Sequence, residues 1–515
     1  MTFEARRLAR PVFWILLAAY LAGQLAFAVR THFMPAENDI LGIISVARGL
    51  TITDWSSFHN DFFAAGLPIL LALLPEPHVL AIAAIISLAF AGLTLLALFG
   101  IVARLTTELW ALAGALLVSL TPLFVDYAAS AGPDVIALGV CTLALAWLTR
   151  EAMTRQDPRW WVLLGTGLLF GLAGLIRYHT LILGLAVLVW AFLASSGPRR
   201  WRPPAIALLG LVIGFLPQIA LNLLGGYGPL EIGSAFYVYE SALGVNWFDT
   251  ASIPAEAYSS VVRVIVDHPG EVAAGYLLTL TSYIVPMAAL AVAVAVTTDH
   301  RRRTVLIGLL TATIAYALTV SIASSPRGPI ATLPMVAIGL AVVADQISAR
   351  LPQTLGRQRI LIGCLAVLVI GWPLLREDAF MLQEKAAHAA ERAEAEAALV
   401  AAGGIVDASE VLTNDFDLYF TAIPGGLPDR IGGWQDISLN GDRAHDTVDL
   451  TSIVAFHCDA RRRGITTVLW RDSQLPFMDA GLSGALNGGS QTPRLVNTGR
   501  IGPYSVTGIT SEGDC

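Results

Sequence analysis

Charge is scarce in this chain: only 14% of its 515 residues are Asp, Glu, Lys or Arg, while 55% are hydrophobic. That balance, with a mean hydropathy of +0.66, excludes an ordinary soluble protein, whose apolar fraction lies nearer about 45–50%. Cysteine is scarcer still, and four of them cannot make a disulfide framework. Cys141 and Cys364 fall within apolar runs, where the thiol acts as a small hydrophobe. Cys458 and Cys515 fall in a polar region, where they either bridge in an oxidising compartment or remain two thiols, since the sequence carries no geometry. A Walker motif is absent from every basic loop, and neither an internal repeat nor a low-complexity linker is found. Residues 376–515 hold twenty acidic against eleven basic side chains, which argues against nucleic acid as a partner.

Long apolar runs fill the rest. Spans are predicted near 11–29, 77–103, 108–126, 132–149, 160–176, 178–195, 204–224, 271–297, 304–322, 330–347 and 360–375, about eleven in all. The expected fold class is therefore an all-α polytopic membrane protein with a small α/β extracytoplasmic C-terminal domain. The domain boundary is predicted at 375/376. Arg104, Arg150, Arg155, Arg159, Arg199, Arg200, Arg202, Arg301 to Arg303, Arg350, Arg357 and Arg359 all fall on one side of this map. By the positive-inside rule that side and the N-terminus are cytoplasmic, and the odd number of spans exports the C-terminus. Arg6, Arg7 and Arg10 before an apolar run ending Leu25-Ala26-Phe27-Ala28 imitate a signal peptide, but the retained segment fits the same topology.

The outer connections carry Glu37, Asp39, Asp54, Asp61, Asp126, Asp134, Glu231, Glu240, Asp249 and Asp267. Two of these connections are long, 30–76 and 225–270. In the first, Ile40, Ile43, Ile44, Ala47 and Leu50 recur at helical spacing and predict a short amphipathic helix along the membrane surface. Aromatics of the second loop, Tyr227, Tyr237, Tyr239, Trp247 and Tyr258, are either sugar-stacking platforms or interface anchors. Beyond the last span, Glu384 to Ala402 predicts a solvated helix. Strands are expected at Val411 to Thr413 and Thr466 to Trp470, a helix at Asp449 to Arg463, and a hairpin across Arg494 to Ile509.

An acid at the membrane face is costly without a task. Glu37 and Asp39 lie just past the first span, and either could act as a general base. Arg177 and Arg327 lie at outer ends of spans, where a guanidinium fork can grip a phosphate or merely snorkel. Asp134 reads either as a cleft residue or, within Gly132-Pro133-Asp134, as a helix N-cap. His59 and Asp61 are the candidates for a divalent ion, although we expect no metal or other cofactor to be required. Outside the cytoplasm no nucleotide donor is at hand. A sugar activated by a lipid phosphate meets that constraint, its transfer needing a carboxylate for the acceptor proton and cations for the phosphate.

At these residues the chain resembles the membrane-embedded GT-C glycosyltransferases, notably the branch of the lipid A aminoarabinose and galacturonic acid transferases and the protein O-mannosyltransferases. The resemblance covers about residues 10–347. It rests on Glu37-Asn38-Asp39 after the first span, the Gly66-Leu67-Pro68 re-entry, Ser130 to Asp134, Gly171 to Tyr178, and Ser324-Ser325-Pro326-Arg327 before Leu333-Pro334. Two elements depart from the pattern: Asp39-Ile40 stands where members often have Asp-Glu, and Ala65 to Pro68 where they have His-Pro-Pro. The resemblance implies Asp39 as catalytic base with Glu37 as competitor, an inverting transfer, Arg177 and Arg327 at the donor phosphate, and Tyr178, Asp134, His59 and Asp61 around the cleft. Implied partners are a polyprenyl-phosphate sugar, membrane lipids, and a lipid, polysaccharide or protein acceptor of the cell envelope. The implied location is a bacterial inner membrane. A lipid-linked-sugar transporter or flippase would instead show charge within its spans and symmetric halves with broken helices. A noncatalytic envelope assembly protein would not need so many spans.

Overall fold

Proline and glycine punctuate the helices. In the computed structural model of the chain, residues 3–31, 63–74, 78–155, 157–225, 228–230, 261–323, 327–350, 374–387, 389–390, 411–413, 451–462, 464–471, 479–489, 492–502 and 504–511 are described, with single positions at 33, 36, 40, 43, 44, 47, 238, 393, 449 and 515. Helix α1 covers Phe3–Arg30, α2 Gly66–Ala72, α3 Val79–Leu105, α4 Glu108–Ser119, α5 Pro122–Ala128 and α6 Pro133–Thr154. Helix α7 covers Trp160–Ile176, and a 3-10 stretch, Tyr178–Gly184, leads into α8, Leu185–Leu193. Then come α9 (Arg202–Leu224), α10 (Val261–Asp267), α11 (Pro269–Thr281), α12 (Ile284–Val296), α13 (His300–Val320) and α14 (Leu333–Arg350), the last preceded by a 3-10 turn at Gly328–Thr332. Proline opens α5, α6 and α11, where its missing N–H would have no partner in any case.

Among the described residues six helices are long and apolar enough to cross a membrane, or up to eight if each bent pair is one span. The pairs are α4 with α5, bent by 73°, and α11 with α12, bent by 55°. The expected count of eleven is thus not reached. Two predicted spans are the shorter α7 and the 3-10/α8 pair, and 360–373 lies outside the described residues. The two shorter helices have one origin: composition reports apolarity, whereas the length of unbroken helix depends on where the backbone turns.

The tightest packing joins α7 to α9. Gly167 and Gly171 on one helix face Gly210 and Gly214 on the other, and a methyl group at any of the four would collide with a carbonyl oxygen across the contact. Small residues at this spacing let two membrane helices approach backbone to backbone. The surface stripe behaves differently from expectation: Ile40, Ile43, Ile44 and Ala47 are helical and buried, packed with Leu67, Leu71, Ala83 and Ala131. Protein, not lipid, covers them.

In the C-terminal region α15 covers residues 374–387, α16 Ile453–Arg462 and α17 Ala480–Leu486. Strands β1 (Val411–Thr413), β2 (Thr467–Arg471), β3 (Leu495–Ile501) and β4 (Tyr504–Ile509) form one sheet in the order β1-β2-β4-β3, with β1 parallel to β2 and the other pairs antiparallel. Phe456, Val468, Trp470, Leu482 and Leu495 make its core. Cys458 and Cys515 are bridged. Helix α15 is tied to the bundle by Lys385 Nζ, 3.0 Å from the Asp126 carboxylate.

Candidate functional site

Three chain breaks bring the site together. Helix α7 stops at Arg177, whose backbone turns extended (φ −147°, ψ 110°), and Thr180 holds that turn by donating both its N–H and its hydroxyl to the Arg177 carbonyl at 3.0 and 2.7 Å. Helix α6 starts after an extended Gly132, with Asp134 in its first turn. Arg327 heads the 3-10 turn before α14, its carbonyl accepting the Ile330 N–H at 3.0 Å. All three side chains converge. The Arg177 guanidinium is ion-paired with Asp134, and Arg327 Nη1 lies 3.7 Å from the other carboxylate oxygen.

The Asp134 side chain is 1% exposed, against 14% for Arg177 and 17% for Arg327, so the arginines cover the acid. Among the described residues the cluster sets two guanidinium groups against one carboxylate. The first turn of α6 adds the partial positive charge of a helix start. Such a site can bind a phosphate anion. The helix-cap alternative for Asp134 is overturned: Gly132 is the cap residue, no side-chain cap bond forms there, and the carboxylate pairs with the arginines instead.

Two tyrosines that the sequence reading passed over fix the Arg327 turn from beneath. The Tyr316 hydroxyl donates to the Gly328 carbonyl at 3.0 Å, and its ring meets Tyr283 edge-on at 6.0 Å. The Tyr283 hydroxyl presses so closely on Gly328 that no side chain fits there. His179, also passed over, lies within electrostatic range of Arg177 and Arg327. A tyrosine or histidine in an apolar run carries no spacing signal, and the position of the Arg327 turn gave the only available hint.

Tyr178 adjoins Arg177 but serves another contact, donating its hydroxyl to the Phe63 carbonyl at 3.3 Å while its ring meets Phe215. The re-entry segment is held by Gln218 and by the Leu175 backbone. Ala65 N–H donates to Gln218 Oε1 at 2.8 Å, Gln218 donates in turn to Asn222 at 2.9 Å, and Gly66 abuts the Leu175 carbonyl. Ahead of it, Ala36 N–H donates to the Ser130 hydroxyl at 2.7 Å, and Ile40 packs in one cluster with Ala131 and Ile136. Ala36 therefore contacts the turn that leads to Asp134, and Ile40 shares a buried cluster with Ala131 of that turn. Glu37, Asp39, His59 and Asp61 themselves lie outside the described residues. Among the described residues the one grouping with metal-ligand chemistry is His457, Cys458 and Cys515 in the C-terminal region, where the two cysteines form the disulfide.

Residues 70–221 match the dolichyl-phosphate-mannose-protein mannosyltransferase family. No curated protein matches the chain by sequence. Among solved structures, the chain is similar to ArnT from Cupriavidus metallidurans bound to undecaprenyl phosphate (TM-score 0.57, 15% identity, 97% of this chain and 98% of that one). It is also similar to the Archaeoglobus fulgidus oligosaccharyltransferase in complex with Zn and sulfate (TM-score 0.51, 13% identity, 88% of this chain and 68% of that one). The fold is the GT-C fold of membrane glycosyltransferases, with several apolar helices of a multi-pass membrane protein and a small C-terminal sheet.

Proposed function

We propose that the chain is an inverting membrane glycosyltransferase that moves a sugar from a polyprenyl-phosphate donor to a glycolipid, polysaccharide or protein acceptor of the cell envelope, at the outer face of a bacterial inner membrane. Residues 1–375 form the catalytic part in this reading, and 376–515 an extracytoplasmic appendage. The observation that carries it is the Asp134 carboxylate shared by Arg177 and Arg327. As the acceptor oxygen bonds to the anomeric carbon, the bond from that carbon to the phosphate oxygen breaks. The lipid phosphate then changes from a diester with one charge to a monoester gaining a second. A pre-formed pair of guanidinium groups favours that state over the ground state. Asp39, or Glu37 two residues earlier, takes the acceptor proton.

No metal is required in this scheme, with His59 and Asp61 as the residues to substitute if chelation proves otherwise. The bound lipid of the Cupriavidus protein supports a polyprenyl phosphate as the leaving group. The test follows polyprenyl phosphate released from a radiolabelled lipid-linked sugar by purified protein in proteoliposomes. Arg177→Lys is expected to be impaired and Arg177→Ala nearly inactive, because lysine keeps the charge but loses the planar fork. Wild-type turnover in both Arg177→Ala and Arg327→Ala would remove the cluster from the reaction.

A further inference from the structure

A second cationic site lies at the other end of the bundle. Helix α1 begins there, α3 ends there and α4 starts there, and between them is a cavity of about 470 Å³ lined by Arg10, Phe13, Trp14, Phe99, Arg104 and Glu108. Arg150, near the end of α6 remote from Asp134, lies within electrostatic range of Arg104, so this cavity and the arginine cluster occupy opposite ends of α6. We propose that it binds one anionic phospholipid of the leaflet opposite the transfer site.

Charge is the first argument. Among the described residues of the lining, Arg10 and Arg104 face Glu108, two positive charges against one negative. Arg10 Nη2 is 3.0 Å from Glu108 Oε1, yet two thirds of its side chain remains exposed (66%). Arg104 is folded back along α3, donating from Nη1 to the Gly100 carbonyl at 2.6 Å. A methyl group at Gly100 would come within 3.1 Å of that nitrogen, so the glycine leaves the room in which the guanidinium lies. One of the five N–H donors of Arg104 is used by this contact, and the planar group is held at the cavity wall.

Shape is the second argument. Phe13 stacks on Phe99 with centroids 4.2 Å apart, making an apolar wall, and Trp14 stands edge-on to Phe13, half exposed at the rim. Leu96 and Ala103 complete the lining along α3. Val12, Ile15 and Leu16 on α1 are exposed apolar side chains, as a lipid-facing surface requires. A tryptophan beside basic residues is the composition of a headgroup-level girdle. The ligand that satisfies both halves has a phosphate for the guanidinium groups and acyl chains for the groove. Basic pockets between membrane helices take anionic lipids in this way, and a zwitterionic lipid, which brings its own cation, gains less from the guanidinium groups.

The experiment is native mass spectrometry of the full-length protein titrated in detergent with phosphatidylglycerol or phosphatidylcholine of identical chains. Wild type is expected to retain one phosphatidylglycerol in preference to phosphatidylcholine. Arg10→Gln and Arg104→Gln should each weaken that retention by about fivefold, the effect of one basic residue near a membrane surface. Glu108→Gln should strengthen it, a change of opposite sign that a merely unfolded variant cannot produce, while Arg200→Gln, a basic residue outside the cavity, should leave it unchanged. Excess inorganic phosphate should not displace the lipid. Equal retention of the two lipids, or unchanged retention in both arginine variants, overturns the proposal; displacement by inorganic phosphate overturns it in favour of a free-anion site.

Discussion

Asp134 and Arg177 form a buried ion pair between the start of one helix and the end of another, and Arg327 approaches the same carboxylate from a third element. The acid thus sets where the two cations stand. In the proposed mechanism its role is positional, distinct from that of a proton acceptor.

Removing the acid alone should therefore harm stability as well as turnover. Asp134→Asn leaves two arginines without their shared partner, a change of about 3–5 kcal/mol for a buried pair. The melting temperature in detergent should fall. The double variant Asp134→Asn/Arg177→Gln should recover part of the stability and none of the turnover. An Asp134→Asn protein with unchanged melting temperature and rate would show that the pair organises nothing.

The base is tested two residues apart. Asp39→Asn keeps size and hydrogen bonding but cannot accept the acceptor proton, so the rate should fall at least ~100-fold while donor lipid still binds. If Glu37→Gln is inactive and Asp39→Asn active, Glu37 is the base. Retained turnover in both variants would rule out the mechanism proposed above.

Gly66 reports on the re-entry segment. A Cβ at this position would lie 2.6 Å from the Leu175 carbonyl oxygen, a backbone atom that cannot swing aside. Gly66→Ala should cost about 1–3 kcal/mol, the usual range for overpacking. Because Leu175 is two residues from Arg177, transfer should slow even where the protein remains folded, and proteoliposome turnover measures it.

Burial and the neighbouring Glu377 charge raise the Asp378 carboxyl on α15 to about 6, just beyond the last predicted span. The raised value means that the folded chain holds this proton more tightly than the unfolded one. Stability from this group is full below the ordinary carboxylate range, declines as pH rises, and is lost above about 6. Asp378→Asn should thus raise the melting temperature at pH 8 and leave it nearly unchanged at pH 4. An equal effect at both values would exclude a titrating Asp378.

Much of this was legible in the chain. The two arginines stood out because each lies at the end of an apolar run, and strands β1 and β2 because β-branched runs are bounded by turn residues. The pairing of Asp134 was not legible, since Gly132-Pro133-Asp134 is chemically identical to an ordinary helix start and only tertiary approach shows what the carboxylate faces. Helix α17 was missed because Ala480-Gly481-Leu482-Ser483-Gly484 has two residues of low helix propensity. Its one local signal was Asp479, whose side chain accepts the Leu482 N–H at 2.9 Å. The disulfide stayed open until the hairpin and α16 were placed, because a bridge depends on distance and direction rather than spacing.

The glycine contact between α7 and α9 constrains how such a protein can diversify. Arg177 terminates one of the two helices, and Gln218 and Asn222, which hold the re-entry segment, belong to the other. With backbones in direct contact at four glycines, neither helix can slide past the other, so Arg177 and the anchor of the re-entry segment keep a common frame. Relatives that take other acceptors under the proposed mechanism are therefore expected to keep these four glycines and to vary outside this frame.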